Sequence, residues 1–320
     1  MPWQKQGKVL AKVLIGLGLY NGAQHLAAQL DSIAAQDFMD WRLVVSDDGS
    51  ADAGPAMVER FAARYPAGTV RLTRGPAKGA SCNFLSMLAL PEAGEYLALA
   101  DQDDVWKPEK LDRALQCLEA RPDAGLYSAR TTICDNDLNP LAPSRSFPGP
   151  FNFQNALVQA VTAGNTCVLT PAAIRLARQA APAAMAQRVE SHDWWLYQFV
   201  SGAGMGIIRD DVEVLFYRQH DENLKGRNDT LPAMRSRLGQ LFAGSYGGWL
   251  HRNVDALSAA SDLLLPESQE TLARFSRALT KPGPLMAIDL ARLGLRRQTP
   301  MGTAALYAAA IAGRLRRKEG

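Results

Sequence analysis

The sequence lacks several features that would assign a chain to a class directly. Its four cysteines form no CxxC pair, so neither a zinc site nor a disulfide framework is indicated, and a reduced cytoplasmic setting is the default expectation. No apolar run reaches the roughly 18 residues of a spanning helix, and the first residues do not read as a signal peptide. The net charge of +3 gives no argument for nucleic acid as a partner.

Two common phosphate-binding motifs are also missing. LGLYNG, residues 17–22, matches neither G-x-G-x-x-G nor the P-loop, which disfavours a dinucleotide-binding dehydrogenase. What the sequence does contain is an alternation of short apolar runs with amphipathic segments of helical length, which predicts an α/β fold on a mostly parallel sheet. The predicted strands lie at 8–16, 41–46, 69–74, 96–100 and 124–129, with further strands near 205–208 and 211–217.

Polar residues follow several of the predicted strands. Tyr20, Asp47, Asp48 and Arg74 come directly after or at the end of the first three, and an acidic cluster at 101–104 follows the fourth. Ligands of doubly wound sheets bind at the carboxyl ends of the strands. We therefore expect these residues to surround a ligand.

The acidic cluster lies in LALADQDDVW, residues 97–106, which holds Asp101, Asp103 and Asp104. Like charges this close repel each other unless a cation, a base or solvent offsets the cost. One interpretation is a cap for a helix beginning near Trp106, because Asp is a favoured N-cap residue. The other is a site for Mg²⁺ or Mn²⁺, which prefer hard oxygen ligands.

The loops after the first two predicted strands carry further candidates. In SDDGS, residues 46–50, Asp47 and Asp48 either form an ordinary strand-to-helix turn or accept hydrogen bonds from a base or ribose. In LGLYNG, Tyr20 is placed to stack on a base, and Asn21 is a candidate cap for the next helix.

Two motifs of the second half offer a base and a group of cations. In SHDWWLYQF, residues 191–199, Asp193 is either an N-cap residue or a general base that the two tryptophans partly desolvate. In FYRQHDENLKG, residues 216–226, Arg218, His220 and Lys225 lie either in a solvated loop or in one that folds over a diphosphate.

Several motifs in one order give the sequence a family resemblance. They are LYNGAQHLAAQLDSI, VVSDDGS, GASCNF, ALADQDDVWKPEKL, VTAGNTCVL, SHDWW and YRQH, spread over about residues 8–226. Together they resemble the family 2 glycosyltransferases of GT-A fold, especially the bacterial rhamnosyltransferase-like branch. The resemblance implies a GT-A domain at 1–228 and leaves 229–320 as a helical extension.

The resemblance also implies roles for individual residues. Asp101 and Asp103 form a DxD motif that binds Mg²⁺ or Mn²⁺, with His220 as a further metal ligand and Asp104 left to cap the following helix or approach the acceptor. Asp193 is the catalytic base of an inverting enzyme. The residues expected to bind the nucleotide sugar are Tyr20, Asn21, Asp47, Asp48, Lys78, Asn83, Asp101, Gln102 and Arg218.

The function implied is transfer of rhamnose or a hexose from a dTDP- or UDP-sugar to a glycan or lipid-linked acceptor in surface polysaccharide synthesis. One alternative is a sugar-1-phosphate nucleotidyltransferase, but LGLYNGAQ lacks the arginine that such an enzyme needs after its first strand. The other is a catalytically silent nucleotide-sugar-binding protein, against which the presence of both DQDD and HDWW argues.

The end of the chain is basic. Residues 290–318 hold seven arginines and lysines and no acidic residue, around a short apolar stretch. One interpretation is a pair of partly packed helices that contribute to a homodimer. The interpretation we favour is peripheral contact with the inner face of the plasma membrane, because basic, apolar segments bind anionic lipid surfaces.

Overall fold

The computed structural model describes residues 13–219 and 245–317, which contain nine strands and eleven α-helices. The strands are β1 (Val13–Leu19), β2 (Trp41–Asp47), β3 (Val70–Arg74), β4 (Tyr96–Ala100), β5 (Val105–Trp106), β6 (Ala124–Cys134), β7 (Pro140–Pro143), β8 (Val168–Leu169) and β9 (Gly206–Arg218). The helices are α1 (Ala23–Ala34), α2 (Gly54–Ala62), α3 (Ala80–Ser86), α4 (Lys110–Ala120), α5 (Phe153–Val158), α6 (Pro171–Ala186), α7 (His192–Gly202), α8 (Ser245–Ser258), α9 (Pro266–Ala278), α10 (Gly283–Arg292) and α11 (Pro300–Ile311).

The strands of the described ranges form one sheet, in the order β3-β2-β1-β4-β8-β6-β9-β5, with β7 on β6. The first four of these run parallel to one another, and β6 and β9 form a second, longer parallel pair. Strand β8 joins the two groups through antiparallel pairing with β4 and β6. The prediction of an α/β fold with a mostly parallel sheet is confirmed.

Hydrophobic residues cover both faces of the sheet. Val13, Ile15 and Leu17 of β1 pack with α1, α2 and α4 on one side. Leu14, between them, packs with α3, α5, α6 and α7 on the other. Successive side chains of a strand point to opposite faces, so a strand buried on both faces appears in the sequence as an unbroken apolar run.

The helices after residue 245 share the second of these cores. Leu257, Phe275 and Leu306 belong to the same cluster of buried residues as Trp195 of α7. The backbone N–H of Leu265 also donates to the carbonyl of Gly202, at the end of α7, over 3.0 Å. The boundary expected at 228 lies outside the described residues. In the ranges 13–219 and 245–317, no helix is long and apolar enough to cross a membrane.

Several local predictions differ from the structure. The strand expected at 8–16 ends at Leu19, with its expected start outside the described residues, and the strand expected at 124–129 continues to Cys134. The helix expected to begin near Trp106 begins at Lys110, because Val105 and Trp106 form a short strand that pairs with Phe216 and Leu215. The strands expected near 205–208 and 211–217 are one continuous strand, β9. Its long parallel pairing with β6, through three shifts of register, carries the strand across the polar residues that interrupt its sequence pattern.

Candidate functional site

The acidic turn, residues 101–104, follows β4 at the carboxyl edge of the sheet, where it was predicted. Asp101 and Asp103 are half-buried, whereas Asp104 is fully buried. Asn165 Nδ2 donates to Asp104 Oδ2 over 2.6 Å. The prediction that Asp104 caps the following helix is wrong, because the N-cap residue of α4 is Glu109.

A buried amine lies close to the acidic turn. Lys110 is fully buried, with its Nζ 3.2 Å from the centroid of the Trp106 ring. Burial lowers the pKa of Lys110 to about 7, although the charge of Asp104 opposes the shift. Burial raises the pKa of Asp104 well above its usual value, and the charges of Asp103 and Asp101 raise it further. The half-buried carboxylates of Asp101 and Asp103 thus lie beside two buried groups, the carboxyl of Asp104 and the amine of Lys110.

Gln102 joins the acidic turn to the loop after β1. Its Oε1 accepts from the backbone N–H of Tyr20 over 2.8 Å, and its Nε2 donates to the carbonyl of the same residue over 3.0 Å. Gly22 leaves room for this contact, since a Cβ there would lie 2.3 Å from Gln102 Cδ. Tyr20 is 60% exposed, and its backbone is bonded to the acidic turn.

Asn21 links the same loop to the turn after β2. Its backbone N–H donates to Ser50 Oγ over 2.9 Å, and its Oδ1 accepts from the N–H of Ala51 over 2.8 Å. The predicted capping role is wrong, because the N-cap residue of α1 is Gly22 and the side chain that accepts from the first N–H of the helix, that of Ala23, is Asp52, over 2.8 Å. Asn21 has a φ of 48°, a left-handed conformation that Asn tolerates better than most residues. The contacts hold the loops after β1 and β2 side by side.

The two aspartates after β2 fix neighbouring backbone. Asp48 is buried, and its two carboxylate oxygens accept from the N–H groups of Ala77 and Gly79 over 2.7 and 2.8 Å. These bonds set the loop that carries the exposed Lys78. Asp47 Oδ1 accepts from the N–H of Ser50 over 3.0 Å. Asp48 therefore determines where the charge of Lys78 can lie.

Asn83 of α3 is buried beside the same loop. Its Oδ1 accepts from Ser46 Oγ over 2.6 Å, and its Nδ2 donates to the carbonyl of Ser46 over 2.9 Å. A Cβ on Gly75 would lie 2.8 Å from Asn83 Oδ1 and 2.9 Å from Asp48 Oδ1. Gly75 thus lets three segments meet at this edge, and the Asn83 amide is held by β2.

Asp193 lies in the first turn of α7 and is only 6% exposed. Its Oδ1 accepts from the hydroxyl of Ser191 and, over 2.9 Å, from the backbone N–H of Trp194. The indole Nε1 of Trp194 donates to the carbonyl of Ala156 over 2.7 Å, which anchors the start of the helix. Trp195 is fully buried behind it. The two hydrogen bonds to Oδ1 fix the orientation of the carboxylate.

One segment, residues 162–167, connects Asp193 with the acidic turn. Thr162 Oγ1 donates to the backbone carbonyl of Asp193 over 3.0 Å, and Asn165 donates to Asp104. Burial raises the pKa of the Cys167 thiol, and the charge of Asp193 raises it further, as does that of Asp101 more weakly. The acidic turn and Asp193, which are far apart in sequence, thus both contact this segment.

Arg218, at the end of β9, also reaches the acidic turn. It is buried, and its Nε donates to the backbone carbonyl of Asp103 over 3.2 Å while its guanidinium also donates to the carbonyl of Asn136. The guanidinium therefore supports the backbone of the turn. His220 and Lys225, predicted for the same loop, lie outside the described residues.

Sequence reasoning missed Lys110 and Asn165 as parts of this site. Lys110 carries a signal that could have revealed it, since the helical spacing of α4 puts it on the same face as the buried Ala114, Leu115 and Leu118. Asn165 carries none, because its contact with the acidic turn depends on how β8 pairs with β4 and β6.

The acidic turn fits a divalent cation that a substrate would help to hold. In the parts of the chain that the structure describes, no group of three His, Cys, Asp or Glu side chains converges to bind a metal. Asp101 and Asp103 supply hard oxygen atoms, and Mg²⁺ in enzymes is often bound by one or two carboxylates plus substrate phosphates. Asp101 and Asp103 match a site of this kind, in which substrate phosphates complete the set of ligands around the metal.

Three comparisons with known proteins agree with the geometry. Residues 15–175, about half of the chain, match the family described as Glycosyl transferase family 2. The dTDP-rhamnosyl transferase RfbG of Shigella flexneri is 27% identical over 230 residues, which cover 70% of this chain and 78% of that protein. The UDP-Glc:alpha-D-GlcNAc-diphosphoundecaprenol beta-1,3-glucosyltransferase WfgD of Escherichia coli is 27% identical over 119 residues, 37% of this chain and 46% of that protein.

Solved structures show the fold. The crystal structure of residues 1–349 of S. aureus TarS, in complex with UDP-GlcNAc, superposes with a TM-score of 0.51 and 14% identity, covering 95% of this chain and 90% of that one. The predicted GT-A fold and the predicted likeness to rhamnosyltransferases are thereby confirmed. The chain belongs to glycosyl transferase family 2.

Proposed function

We propose that the protein is an inverting, metal-dependent glycosyltransferase that moves rhamnose or a hexose from a dTDP- or UDP-sugar to an acceptor hydroxyl. The observation that carries this proposal is the segment 162–167, which contacts the acidic turn through Asn165 and the backbone of Asp193 through Thr162. In an inverting displacement the attacking hydroxyl and the leaving diphosphate lie on opposite sides of one anomeric carbon. A base and a diphosphate site therefore have to be held close together.

In this proposal the nucleotide lies along the carboxyl edge of β1, β2 and β4. The exposed ring of Tyr20 offers a face on which a base can stack. Lys78, whose loop Asp48 fixes, offers a positive charge beside the donor. Asn21 and Asp47 shape the same edge through their contacts with residues 50 and 51.

Asn83 and Arg218 support the donor site indirectly. Asn83 holds the end of β2 through its contacts with Ser46. Arg218 donates to the carbonyl of Asp103, and Gln102 pairs with the backbone of Tyr20, so both brace the acidic turn. Asp101 and Asp103 would hold Mg²⁺ or Mn²⁺, which when bound neutralises charge on the leaving diphosphate.

Asp193 acts as the general base. Its carboxylate accepts the proton of the acceptor hydroxyl while that oxygen bonds to the anomeric carbon, and the bond from that carbon to the diphosphate oxygen breaks with its electron pair. The hydroxyl of Ser191 and the N–H of Trp194 orient the carboxylate for this step.

The substitution Asp193→Asn tests this role. It keeps the size of the side chain but removes the base, so we expect kcat to fall by about 10²- to 10⁴-fold. Binding of dTDP or UDP with Mn²⁺, measured by titration calorimetry, should stay within about twofold of the wild-type value because the donor edge is unchanged.

A matched control is Asp112→Asn, since Asp112 is an exposed aspartate in the first turn of another helix, α4. We expect transfer by this variant to equal that of the wild type. Near-wild-type transfer by Asp193→Asn would contradict the assignment of the base. Loss of nucleotide binding in that variant would show that Asp193 belongs to the donor site instead.

The proposed acceptor is a glycan or lipid-linked saccharide of surface polysaccharide synthesis, used at the inner face of the plasma membrane. The names of two relatives support this choice, since one specifies a dTDP-rhamnosyl transferase and the other a diphosphoundecaprenol-linked acceptor. Incubation with candidate nucleotide sugars and Mn²⁺ should release nucleoside diphosphate only when an acceptor is added. Release of pyrophosphate from a nucleoside triphosphate and a sugar 1-phosphate would indicate a nucleotidyltransferase instead.

A further inference from the structure

The last two helices form an antiparallel pair. Gly283, at the start of α10, meets the end of α11 so closely that a Cβ there would lie 2.1 Å from the carbonyl oxygen of Ile311. The hydroxyl of Tyr307 donates to the carbonyl of Leu295 over 2.9 Å and ties α11 to the connection between the helices. The pair is therefore built to present a defined outer surface.

That outer surface is apolar. We call its exposed apolar residues the hairpin face; they are Pro284, Leu285, Ile288 and Ala291 on α10, and Met301, Ala304, Ala308 and Ile311 on α11. Met301 is 72% exposed and Ile311 is 56% exposed. Helix α11 has apolar residues on all sides, a composition that normally belongs to a helix surrounded by protein or lipid.

Exposed arginines border the hairpin face. Arg292 ends α10, Arg296 lies in the connection, and Arg314 and Arg316 follow α11. The stretch 290–318 holds no acidic residue. The two helices thus combine an apolar surface with positive charge at both ends.

A shallow, open pocket of about 510 Å³ lies at the start of α11, next to the hairpin face. Arg296, Arg297 and Thr303 line it, with Ala304 and Tyr307 as its less polar wall. The guanidinium groups of such a pocket are suited to a phosphate group, which accepts several hydrogen bonds at once.

We propose that the hairpin face docks on the surface of a bilayer that contains anionic phospholipid. The apolar residues would enter the boundary between headgroups and acyl chains, and the arginines would contact the phosphates. Helix α11 has 12 residues and is about 18 Å long, so it is too short for the roughly 30 Å hydrocarbon core and would lie along the surface.

A second copy of the chain suits this surface less well. A two-fold symmetric contact places each patch against its own copy, so the exposed arginines of the two copies would face each other. Within 290–318 no acidic residue is present to pair with them, and Asp289 of α10 is already paired with Lys281. Anionic lipid headgroups supply the missing charge.

The surface is coupled by packing to the proposed base. Arg297 lies over the ring of Tyr246 at 5.7 Å, and Tyr246 stacks on Trp194 at 5.9 Å, directly after Asp193. The docking inference rests on the proposed function in one respect only. The proposed function explains why the hairpin face lies near Asp193, since a docked protein would bring a lipid-linked acceptor to that residue. The bilayer contact itself is independent of the reaction.

Flotation with vesicles tests the proposal on the full chain. Vesicles of phosphatidylcholine with about 30 mol% phosphatidylglycerol should carry the wild-type protein, and vesicles of phosphatidylcholine alone should carry much less. The triple variant Ile288→Gln, Met301→Gln and Ile311→Gln should partition at least about tenfold more weakly into the anionic vesicles. Each of Arg292→Gln and Arg314→Gln should weaken partitioning about fivefold, and more so at low salt.

Matched controls separate docking from general stickiness. Met39 is 72% exposed, as Met301 is, but lies between α1 and β2, so Met39→Gln should leave flotation unchanged. Far-UV circular dichroism should show the same helix content in all variants, because only exposed side chains change. Wild-type protein that does not float with anionic vesicles, or a triple variant that floats equally well, would overturn the proposal.

Sedimentation equilibrium and nucleotide titration distinguish the remaining outcomes. A concentration-dependent dimer that the triple variant abolishes would identify a second copy as the occupant of the hairpin face and overturn the lipid proposal. Failed flotation with intact binding of dTDP or UDP and Mn²⁺ would remove this inference alone. Flotation by a protein that binds neither nucleotide would leave the lipid surface standing and remove the proposed function.

Discussion

The acidic turn and the hairpin face handle charge in opposite ways. At the carboxyl edge of the sheet, charged and amide groups are tied to backbone by short hydrogen bonds, as Asp48, Gln102 and Arg218 are. On the last helices the arginines bordering the face are exposed and surround apolar residues. Polar groups that are held in place select a ligand whose own polar atoms match their directions and distances. Exposed cations attract a negatively charged surface without fixing its orientation. The first arrangement suits a nucleotide sugar and the second suits a membrane.

The α/β part of the chain and the helices after residue 245 nevertheless share one hydrophobic core, and substitution of a core residue tests this. Phe275 of α9 is fully buried in the cluster that also contains Trp195 of α7. Phe275→Ala should lower the free energy of unfolding by about 3–5 kcal/mol because it leaves a cavity in that core. Urea unfolding followed by tryptophan fluorescence and by far-UV circular dichroism should give one transition with coincident midpoints.

Substitution at an exposed position of the same helices supplies the control for Phe275→Ala. Leu285 is 53% exposed, so Leu285→Ala should change the free energy of unfolding by less than about 0.5 kcal/mol. If Phe275→Ala instead produced two separated transitions, with the helices after residue 245 unfolding first, the two regions would be independent units.

A smaller effect is expected at the acidic turn, where Gln102→Ala removes both hydrogen bonds to Tyr20. Each such bond contributes about 1 kcal/mol, and the turn and the aromatic loop lose their connection. We expect the Kd for dTDP or UDP with Mn²⁺ to rise about tenfold, with flotation on anionic vesicles unchanged.

The control for Gln102→Ala is Gln116→Ala, because among the described residues the side chain of Gln116 bonds only to Asp112, on the exposed side of α4. That variant should bind nucleotide as the wild type does. Equal nucleotide binding by Gln102→Ala would show that Tyr20 and the acidic turn act separately.

The smallest effect concerns His251, which holds the end of the chain. Its Nε2 is 2.9 Å from the carbonyl oxygen of Leu315. Burial lowers the pKa of His251 below its usual 6.5, and the nearby Arg317 adds to this, against the opposing hydrogen bond and Asp255. The folded state therefore binds fewer protons than the unfolded state just below pH 6.5. The contribution of neutral His251 to the free energy of unfolding is fully present above pH 6.5 and is lost as the pH falls.

Melting temperatures measured at about pH 7.5 and 5.5 test this sign. His251→Gln keeps a donor for Leu315 without titrating, so its melting temperature should fall less on acidification than that of the wild type. Equal falls in the two proteins would show that other groups account for the whole pH dependence.

Most of the sheet could be predicted from the sequence. The runs at 41–46, 69–74 and 96–100 became β2, β3 and β4 with bounds shifted by at most one residue. Strands β2 and β4 are largely buried on both faces and appear as apolar runs, whereas the edge strand β3 alternates apolar and polar residues, so in each case the signal is local. The short strand Val105–Trp106 was missed because it depends on pairing with residues 215–216, more than a hundred positions away.

The site was predictable in its positions but less so in its contacts. Tyr20, Asp47, Asp48 and the acidic turn lie at strand ends as expected, because a parallel sheet brings those ends to one edge. The capping roles expected of Asn21 and Asp104 were wrong, because Ala51 and Asn165 from distant segments supply partners that local propensity does not include. The roles of individual residues in binding and catalysis stay predictions.

The proposed function depends most on the acidic turn holding the donor diphosphate through a divalent ion. Anomalous scattering from crystals soaked with Mn²⁺ and UDP or dTDP tests this point. We expect one manganese peak in contact with Asp103 and the diphosphate, beside Asp101, with the nucleobase near Tyr20. A nucleotide bound at this edge without manganese, or a manganese peak away from residues 101–103, would contradict it.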